Sequence, residues 1–433
     1  MNVLKKIFGM NSYPNEVTNL SYRYIVLDTL ILLTLTLNQT FLILYVLQFV
    51  DLVVLGLLIS VWQITQFFFD YPSGGLGDKF GQKWVLSVSF LSFGFSFSIM
   101  ILIPTIDGFI VAFLLFGFAQ SQLSGALDSW FDNNYKVQIG DLDEDRSMYG
   151  FTSARIFSIN QFTMFFAIIL GGSLSLIYGR QFVISISGVL CFFMPFLLIS
   201  LMSNPKNGEN IPNITKNSSY FSIIKKGIVY SAKDKRLRYF ILGSVCLYIA
   251  FSIWSLLYLF LVYFGYTGSD FGAGIVRSST FITGGILAYI VAGFSKKLSM
   301  KKLPLVDIIF AILFFGGFSL LFYFNPWQNK LDWTGIAFML LFFLIGDFLM
   351  PLAQILMKRT TIDLIPLDIR NSVYSLIPSI TTILVAIILP ITTFIIQKSN
   401  FAIGLLVSVF FTLLSSPFFW YSLKLENEDK IKS

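Results

Sequence analysis

The chain has 433 residues, of which 56% are hydrophobic and only 12% are charged, and its formal net charge is +7. Soluble domains carry about 25% charged residues, so this composition excludes an ordinary soluble fold. The chain has no histidine and only two cysteines, which argues against a zinc site and against the familiar nucleophile–base arrangements of enzymes. It also lacks a GxxxxGK[ST] phosphate-binding loop. We therefore expect no enzyme activity, no metal and no cofactor.

The apolar residues fall into runs close to the about 20 residues that cross a bilayer as a helix. These runs predict an all-α polytopic membrane protein with twelve transmembrane helices. The predicted spans are, in chain order, 24–47, 52–74, 84–106, 108–132, 152–177, 180–202, 239–264, 271–294, 303–324, 333–356, 373–396 and 401–422. The first 22 residues lack the features of a cleaved secretory signal, so the first span is expected to remain as a membrane anchor.

The longest polar interval, 203–238, divides these spans into two sets of six. The predicted domains are an N-terminal half at 1–202, a cytoplasmic linker at 203–238, and a C-terminal half with a short tail at 239–433. Within the linker, 220–230 has apolar residues at helical spacing and is predicted to lie on the membrane surface as an amphipathic helix. A shift of 218 residues places 292–301 on 74–83, which predicts two pseudo-symmetric six-helix halves.

The basic residues predict the orientation of the chain. Most lysines and arginines lie in the segments that are cytoplasmic when the N-terminus is inside, which is the positive-inside pattern. We therefore predict a multi-pass protein of the cell membrane with both termini in the cytoplasm. The dispersed positive charge suits anionic lipid rather than nucleic acid. The expected partners are the lipid bilayer, a small-molecule substrate, and a proton or sodium ion for coupling, and the expected oligomeric state is a monomer.

A glycine-rich polar segment follows the second span. It resembles the signature loop between the second and third helices of the major facilitator superfamily, a pattern close to G-x-L-x-D-[RK]-x-G-[RK]-[RK], with Gln82 as the departure. The resemblance implies alternating-access transport and a cytoplasmic gate. The predicted gate residues are Asp70, Gly74, Asp78, Lys79, Gly81 and Lys83.

Three further segments, 69–74, 124–130 and 365–376, resemble the drug-efflux-like branch of the same superfamily. Proton-driven antiporters of the superfamily often carry an arginine early in the fourth span, in the pattern R-x-x-Q-G. Here the segment that ends in Gln120-Ser121 has Gly117 at that position. This departure argues against proton-coupled antiport and leaves the predicted fold unchanged.

Several charged residues lie within a turn or two of the predicted cytoplasmic ends of the N-terminal spans. We predict that these residues join the signature loop in one gate network, comprising Asp28, Asp128, Asp132, Arg146 and Arg155. The alternative is static salt bridging, with long side chains that extend to the interface.

Uncharged amides recur at middle depth in the first half, where they can orient a ligand but can also link helices. The candidate cavity residues are Asn38, Gln63, Gln66, Gln120, Trp254, Tyr258 and Arg277. Asp347 is the only acid placed near the middle of the bilayer, and it is the candidate coupling residue. If Arg277 pairs with Asp347, the acid is structural. If Arg277 instead faces the cavity, it suits an anionic substrate.

The sequence thus predicts a secondary active transporter of a small molecule. The first hypothesis is proton-coupled efflux of a lipophilic or amphiphilic compound, because the efflux-like segments accompany an apolar interior. The alternative is a symporter or facilitator that imports an organic anion or polar metabolite. A third hypothesis, a non-transporting receptor on a transporter scaffold, is disfavoured by the intact loop at 74–83.

Overall fold

The computed structural model describes residues 13–143, 147–202, 229–295, 298–364 and 370–432. These residues form helices and their connections, with no strand among them. The long helical segments are α1 (Asn15–Val46), α2 (Leu52–Phe80), α3 (Gln82–Leu102), α4 (Ile106–Ile139), α5 (Ser147–Tyr178), α6 (Arg180–Leu201), α7 (Lys235–Thr267), α8 (Asp270–Ser295), α9 (Met300–Phe324), α10 (Trp333–Leu364), α11 (Arg370–Lys398) and α12 (Phe401–Lys432).

Within the described residues, eleven of these helices are long and apolar enough to cross a bilayer. The remaining helix, α8, coincides with the predicted span 271–294 and includes side chains outside the described residues. The prediction of an all-α polytopic protein is confirmed, and a helix lies at each of the twelve predicted spans.

The chain forms two compact units. The first unit contains α1, α3 to α6, the part of α2 from residue 61 onward, and residues 273–282 of α8. The second contains α7, α9 to α12, the rest of α8, and residues 51–60. Of the predicted linker, residues 203–228 lie outside the described residues, and its role as a domain boundary stays a prediction.

Breaks or π-turns interrupt α1, α4, α7 and α9. The first part of α1 ends at Gln39, and its second part begins at Leu42. The two parts of α4 meet at Gly125, whose φ of 67° is left-handed and therefore favours glycine. Single π-turns interrupt α7 at Trp254–Tyr258 and α9 at Ala311–Gly316. Such turns break the regular hydrogen-bond ladder and re-aim side chains.

Small residues bring the helices of the first unit close together. A side chain at Gly117 of α4 would collide with the carbonyl group of Trp62 on α2. The hydroxyl of Ser89 on α3 donates to the carbonyl of Ala119 on α4 at 2.7 Å. Glycine contacts and hydroxyl-to-carbonyl bonds of this kind hold membrane helices together, because lipid offers no hydrophobic driving force between helices.

Candidate functional site

The signature loop is built on the turn from α2 into α3. Gly81 has φ of 91°, and its N–H donates to the Gly77 carbonyl at 2.9 Å. A residue with a side chain would be strained at this φ, so glycine is required where the chain reverses. The Lys83 amino group lies 5.6 Å from the centre of the Trp84 ring. Gly74, Asp78 and Lys79 lie on α2, and the side chains of Asp78 and Lys79 are outside the described part of the chain.

Asp70, at the entry to this loop, is hydrogen-bonded to the side chain of Ser124. Ser124 stands at the break of α4, immediately before the left-handed Gly125. The acid of α2 and the interrupted end of α4 are therefore connected, and both belong to the first unit.

The acids of the predicted cytoplasmic network have tyrosine or amide partners. The Asn160 side-chain amide donates to Asp28 at 2.8 Å. Tyr24 donates to Asp128, and Tyr149 donates to Asp132. Of the predicted basic members, Arg146 lies outside the described residues and Arg155 is exposed. The network thus joins α1, α4 and α5 through neutral donors.

Asp143 is a member of this cluster that the sequence reasoning missed. It is 6% exposed, and its carboxylate accepts the Tyr135 hydroxyl at 2.8 Å and the N–H groups of Met148 and Tyr149, both at 2.9 Å. These bonds satisfy free N–H groups in the first turn of α5, as a capping acid does. The available signal was an acid nine residues before the predicted span 152–177. Burial, together with the hydrogen bond to Asp132, raises the pKa of Tyr149 to about 12.

The predicted cavity amides of the first unit occupy different surroundings. Asn38 and Gln63 are buried, and the Asn38 amide nitrogen has no hydrogen-bond partner among the described residues. Gln66 accepts the Trp62 indole N–H at 3.2 Å. Gln120 is half-buried, one turn before the break of α4. Gln66 is therefore a contact within α2, whereas Asn38 retains unused donor capacity.

The Arg277 side chain contacts residues at the interruption of α1. It is 4% exposed, and its guanidinium donates to Thr40 Oγ1 at 2.8 Å and to Gln39 Oε1 at 2.9 Å. The first part of α1 ends at Gln39, where unpaired carbonyls carry the negative end of the helix dipole. A buried cation at this point stabilises the helix end. This geometry favours a structural role for Arg277 over contact with a substrate.

Trp254 and Tyr258 lie in the core of the second unit. Their exposed fractions are 3% and 0%. Trp254 packs against Phe318 with ring centres 4.5 Å apart, and the Tyr258 hydroxyl donates to the Phe401 carbonyl at 3.0 Å. Their rings belong to an extended aromatic cluster, and this position makes them packing residues.

Asp347 lies on α10 within the second unit. Its carboxylate accepts the hydroxyl of Thr283 on α8 at 3.1 Å. A Cβ at the neighbouring Gly284 would stand 3.6 Å from the carboxyl group, so glycine leaves room around the acid. Pro351 follows one turn later and lacks the N–H that would bond the main-chain carbonyl of Asp347. The Asp347 carboxylate thus contacts the Thr283 hydroxyl, and the main-chain carbonyl of Asp347 lacks its usual helical donor.

A cavity of about 630 Å³ lies in the second unit among α7, α10 and α11. Its polar lining comprises Ser244, Tyr248, Ser252, Gln354, Thr381 and Thr382. Lys358 is the only charged side chain among the described residues that line it. None of these lining residues was a candidate from the sequence. Their side chains sit inside apolar runs, so hydropathy alone does not single them out, and the hydroxyls of Ser244 and Thr381 also donate to carbonyls of their own helices at 2.9 Å.

A family model described as Major Facilitator Superfamily matches residues 25–390. The chain belongs to the major facilitator superfamily. Membership confirms the prediction of a membrane transporter rather than an enzyme. No curated protein sequence matches the chain significantly.

Solved structures of this superfamily fold resemble the chain over most of its length. A nucleoside transporter, NupG, superimposes with a TM-score of 0.72 at 15% identity, covering 94% of this chain and 98% of its own. The POT family transporter PepTSo gives 0.70 at 12% identity, covering 96% and 99%. A D-xylose-proton symporter gives 0.61 at 15% identity, covering 93% and 96%. At these identities the likeness establishes the fold alone.

Proposed function

We propose that this protein is a secondary transporter that binds a polar small molecule in the cavity of the second unit and moves it by alternating access. The observation that carries the proposal is the lining of that cavity, where hydroxyl and amide side chains accompany a lysine. Its volume of about 630 Å³ lies within the range of about 300–1,000 Å³ that is usual for small-molecule sites.

The lining favours an organic anion or a polar metabolite over a lipophilic compound. Lys358 supplies a positive charge for a carboxylate or phosphate group, and the hydroxyls of Tyr248 and Thr382 offer hydrogen bonds to the rest of the molecule. Trp254 and Tyr258, which would have supplied an aromatic binding surface, are buried in packing contacts. Two of the similar structures named above are of a nucleoside transporter and a D-xylose-proton symporter, which agrees with a polar substrate.

Asp347 is the proposed coupling residue for a proton or a sodium ion. An acid inside a membrane helix is costly and is usually functional. Here the Thr283 hydroxyl contacts the carboxylate, and Pro351 leaves the carbonyl of the same residue without its helical donor. One of the similar structures is of a proton symporter, which supports coupling of this kind without identifying the ion.

The first experiment measures solute exchange and gradient-driven accumulation in proteoliposomes, with organic anions, nucleosides, sugars and lipophilic cations tested in turn. Lys358→Gln is expected to raise the KM for anionic substrates about tenfold or more, because a charge-assisted contact contributes about 1.5–3 kcal/mol. Lys424→Gln is the matched control, since Lys424 is an exposed lysine whose amino group lies 5.4 Å from the centre of the Trp420 ring. An equal effect of both variants would contradict the assigned cavity.

The coupling role is tested with Asp347→Asn under imposed proton or sodium gradients. The variant is expected to retain exchange of substrate and to lose accumulation driven by the gradient. Asp332→Asn, in the connection before α10, removes a carboxylate without touching α8 and should accumulate substrate normally. Gradient-driven accumulation by Asp347→Asn at the wild-type level would remove Asp347 from the mechanism.

Efflux of a lipophilic or amphiphilic compound is the second candidate function. The efflux-like segments at 69–74 and 124–130 favour it, and the contact of Asp70 with Ser124 joins these two segments. In the same proteoliposomes, flux stimulated by lipophilic cations but not by anions or sugars would favour efflux.

The proposed orientation places both termini in the cytoplasm. It is tested by the access of an external protease to the C-terminal tail in sealed cells.

A further inference from the structure

Asp307 is a buried acid that the proposed transport mechanism does not use. It lies in α9, about two turns from the start of that helix, and its side chain is 0% exposed. Its Oδ2 contacts Ser415 Oγ of α12 at 2.9 Å. Its Oδ1 is also buried and has no hydrogen-bond partner among the described residues.

The hydrogen bonds of Ser415 limit the protonation state of this acid. Ser415 Oγ lies 2.9 Å from Asp307 Oδ2 and 2.6 Å from the carbonyl oxygen of Thr412. A serine hydroxyl has one proton, and a carbonyl can only accept. If Ser415 donates to the closer Thr412 carbonyl, the contact with Asp307 requires a proton from the carboxyl group. A neutral Asp307 therefore satisfies both contacts, as Asp307 donates to Ser415 and Ser415 donates to Thr412.

An ionised Asp307 would lack compensation in this position. The carboxylate would compete with the Thr412 carbonyl for one hydroxyl proton, and its Oδ1 would remain a buried charged oxygen without a donor. Burying an unpaired charge is far more costly than burying a neutral polar group. The described lysines on the helices around it are exposed at the helix ends, namely Lys301 and Lys302 on α9, Lys358 on α10, and Lys424 on α12.

We propose that Asp307 is held as a neutral carboxylic acid at neutral pH and that its proton joins α9 to α12. It is a positioning residue, and its proton is part of the packing of the second unit. A second bond across the same pair of helices, from the Ser416 hydroxyl to the Pro304 carbonyl at 3.1 Å, fixes the register in which Asp307 meets Ser415. Asp307 thereby differs from Asp347, which is proposed to bind and release a proton or a sodium ion during transport.

Infrared difference spectroscopy of the full-length protein in liposomes tests this assignment directly. Subtracting the spectrum of Asp307→Asn from that of the wild type at pH 7 should reveal the carbonyl stretching band of a protonated carboxylic acid. A lost pair of carboxylate bands in place of that band would overturn the proposal. Asp347→Asn, recorded in parallel, separates any contribution of Asp347 from that of Asp307.

Ser415→Ala keeps the acid and removes its hydrogen-bond acceptor. The carboxylic-acid band assigned to Asp307 should shift in this variant, and an unshifted band would contradict the assigned partner. Asp307→Asn retains an N–H donor for Ser415, so it should keep the wild-type melting temperature and gradient-driven accumulation. Loss of accumulation in a correctly folded Asp307→Asn protein would identify Asp307 as a transported-proton site and overturn the positioning role.

Discussion

Gly117 allows α4 to approach α2 so closely that a side chain does not fit. A Cβ at this position would lie 3.0 Å from Thr65 Cβ, 3.2 Å from the Trp62 carbonyl carbon, and closer still to the carbonyl oxygen. Carbon atoms in favourable contact are about 3.5–4.0 Å apart. Gly117→Ala therefore requires the two helices to separate, because the main chain of Trp62 cannot rotate away as a side chain could.

The expected cost follows from two opposing effects. Overpacking a tightly packed site typically costs about 1–3 kcal/mol, and a clash with main-chain atoms belongs to the upper part of this range. Alanine recovers about 1 kcal/mol of helix propensity relative to glycine. We expect the free energy of unfolding to fall by about 2 kcal/mol, which is roughly a 30-fold change in the unfolding equilibrium. The change in the free energy of unfolding is measured by denaturant titration of the purified protein in mild detergent, followed by tryptophan fluorescence.

Gly285→Ala is the matched control for this substitution. Gly285 is also inside a transmembrane helix, but a Cβ there would meet nothing within 4 Å. It should leave the free energy of unfolding unchanged or raise it by up to about 1 kcal/mol. If Gly117→Ala were as stable as Gly285→Ala, the close approach of α4 to α2 would be refuted. Gly117→Arg, which restores the antiporter-like residue, should be more destabilising than Gly117→Ala.

Two further predictions concern ionised groups. The side chain of Asn325 and the N–H groups of Gly335 and Thr334 stabilise the Asp332 carboxylate and hold its pKa below the usual value. Asp332→Ala should therefore lower the free energy of unfolding by about 1 kcal/mol, because the variant loses a helix cap. The difference in free energy of unfolding between variant and wild type should shrink as pH falls below about 4, where the unfolded-state carboxylate becomes protonated. Arg277→Lys should lower the free energy of unfolding by about 1–3 kcal/mol, because an ammonium cannot reproduce the two-point contact with Gln39 and Thr40. An unaltered melting temperature in thermal unfolding would show that the α1 break does not depend on the Arg277 guanidinium.

The positions of the helices could be predicted because each depends on a local property, a run of apolar residues long enough to cross a bilayer. Their ends were less accurate. The first helix begins at Asn15 rather than 24, and the fourth continues beyond 132 to Ile139. Polar residues outside the apolar run extend both helices, and the side chains of Thr18, Ser21 and Asn134 donate to carbonyls one turn earlier in the chain. The break of α4 at Gly125 was visible in the sequence only as a small-residue segment.

The functional residues were harder to predict because their roles depend on partners distant in sequence. Asp307 lies near one end of its predicted span, where an acid would be expected to reach water, yet Ser415 of α12 meets it in a closed interior. Arg277 was predicted as a cavity candidate because it is a charge inside an apolar span, but its contact with the α1 break could not be read from hydropathy. The cavity lining likewise depends on which face of α7 and α11 turns inward.

The acid network of the first unit offers a test of whether tyrosines or arginines hold it together. Tyr24 donates to Asp128, and its ring lies 4.4 Å from that of Phe131, so Tyr24→Phe removes the donor while keeping the ring. A bond to a carboxylate contributes about 1.5–3 kcal/mol, less at a partly exposed site, and its short range makes it insensitive to salt. Tyr24→Phe should therefore destabilise the protein more than Arg155→Gln does, equally at about 0.1 M and 1 M salt. The opposite order, with an Arg155→Gln effect that disappears in high salt, would restore the predicted acid–base network and reduce the tyrosine contacts to secondary importance.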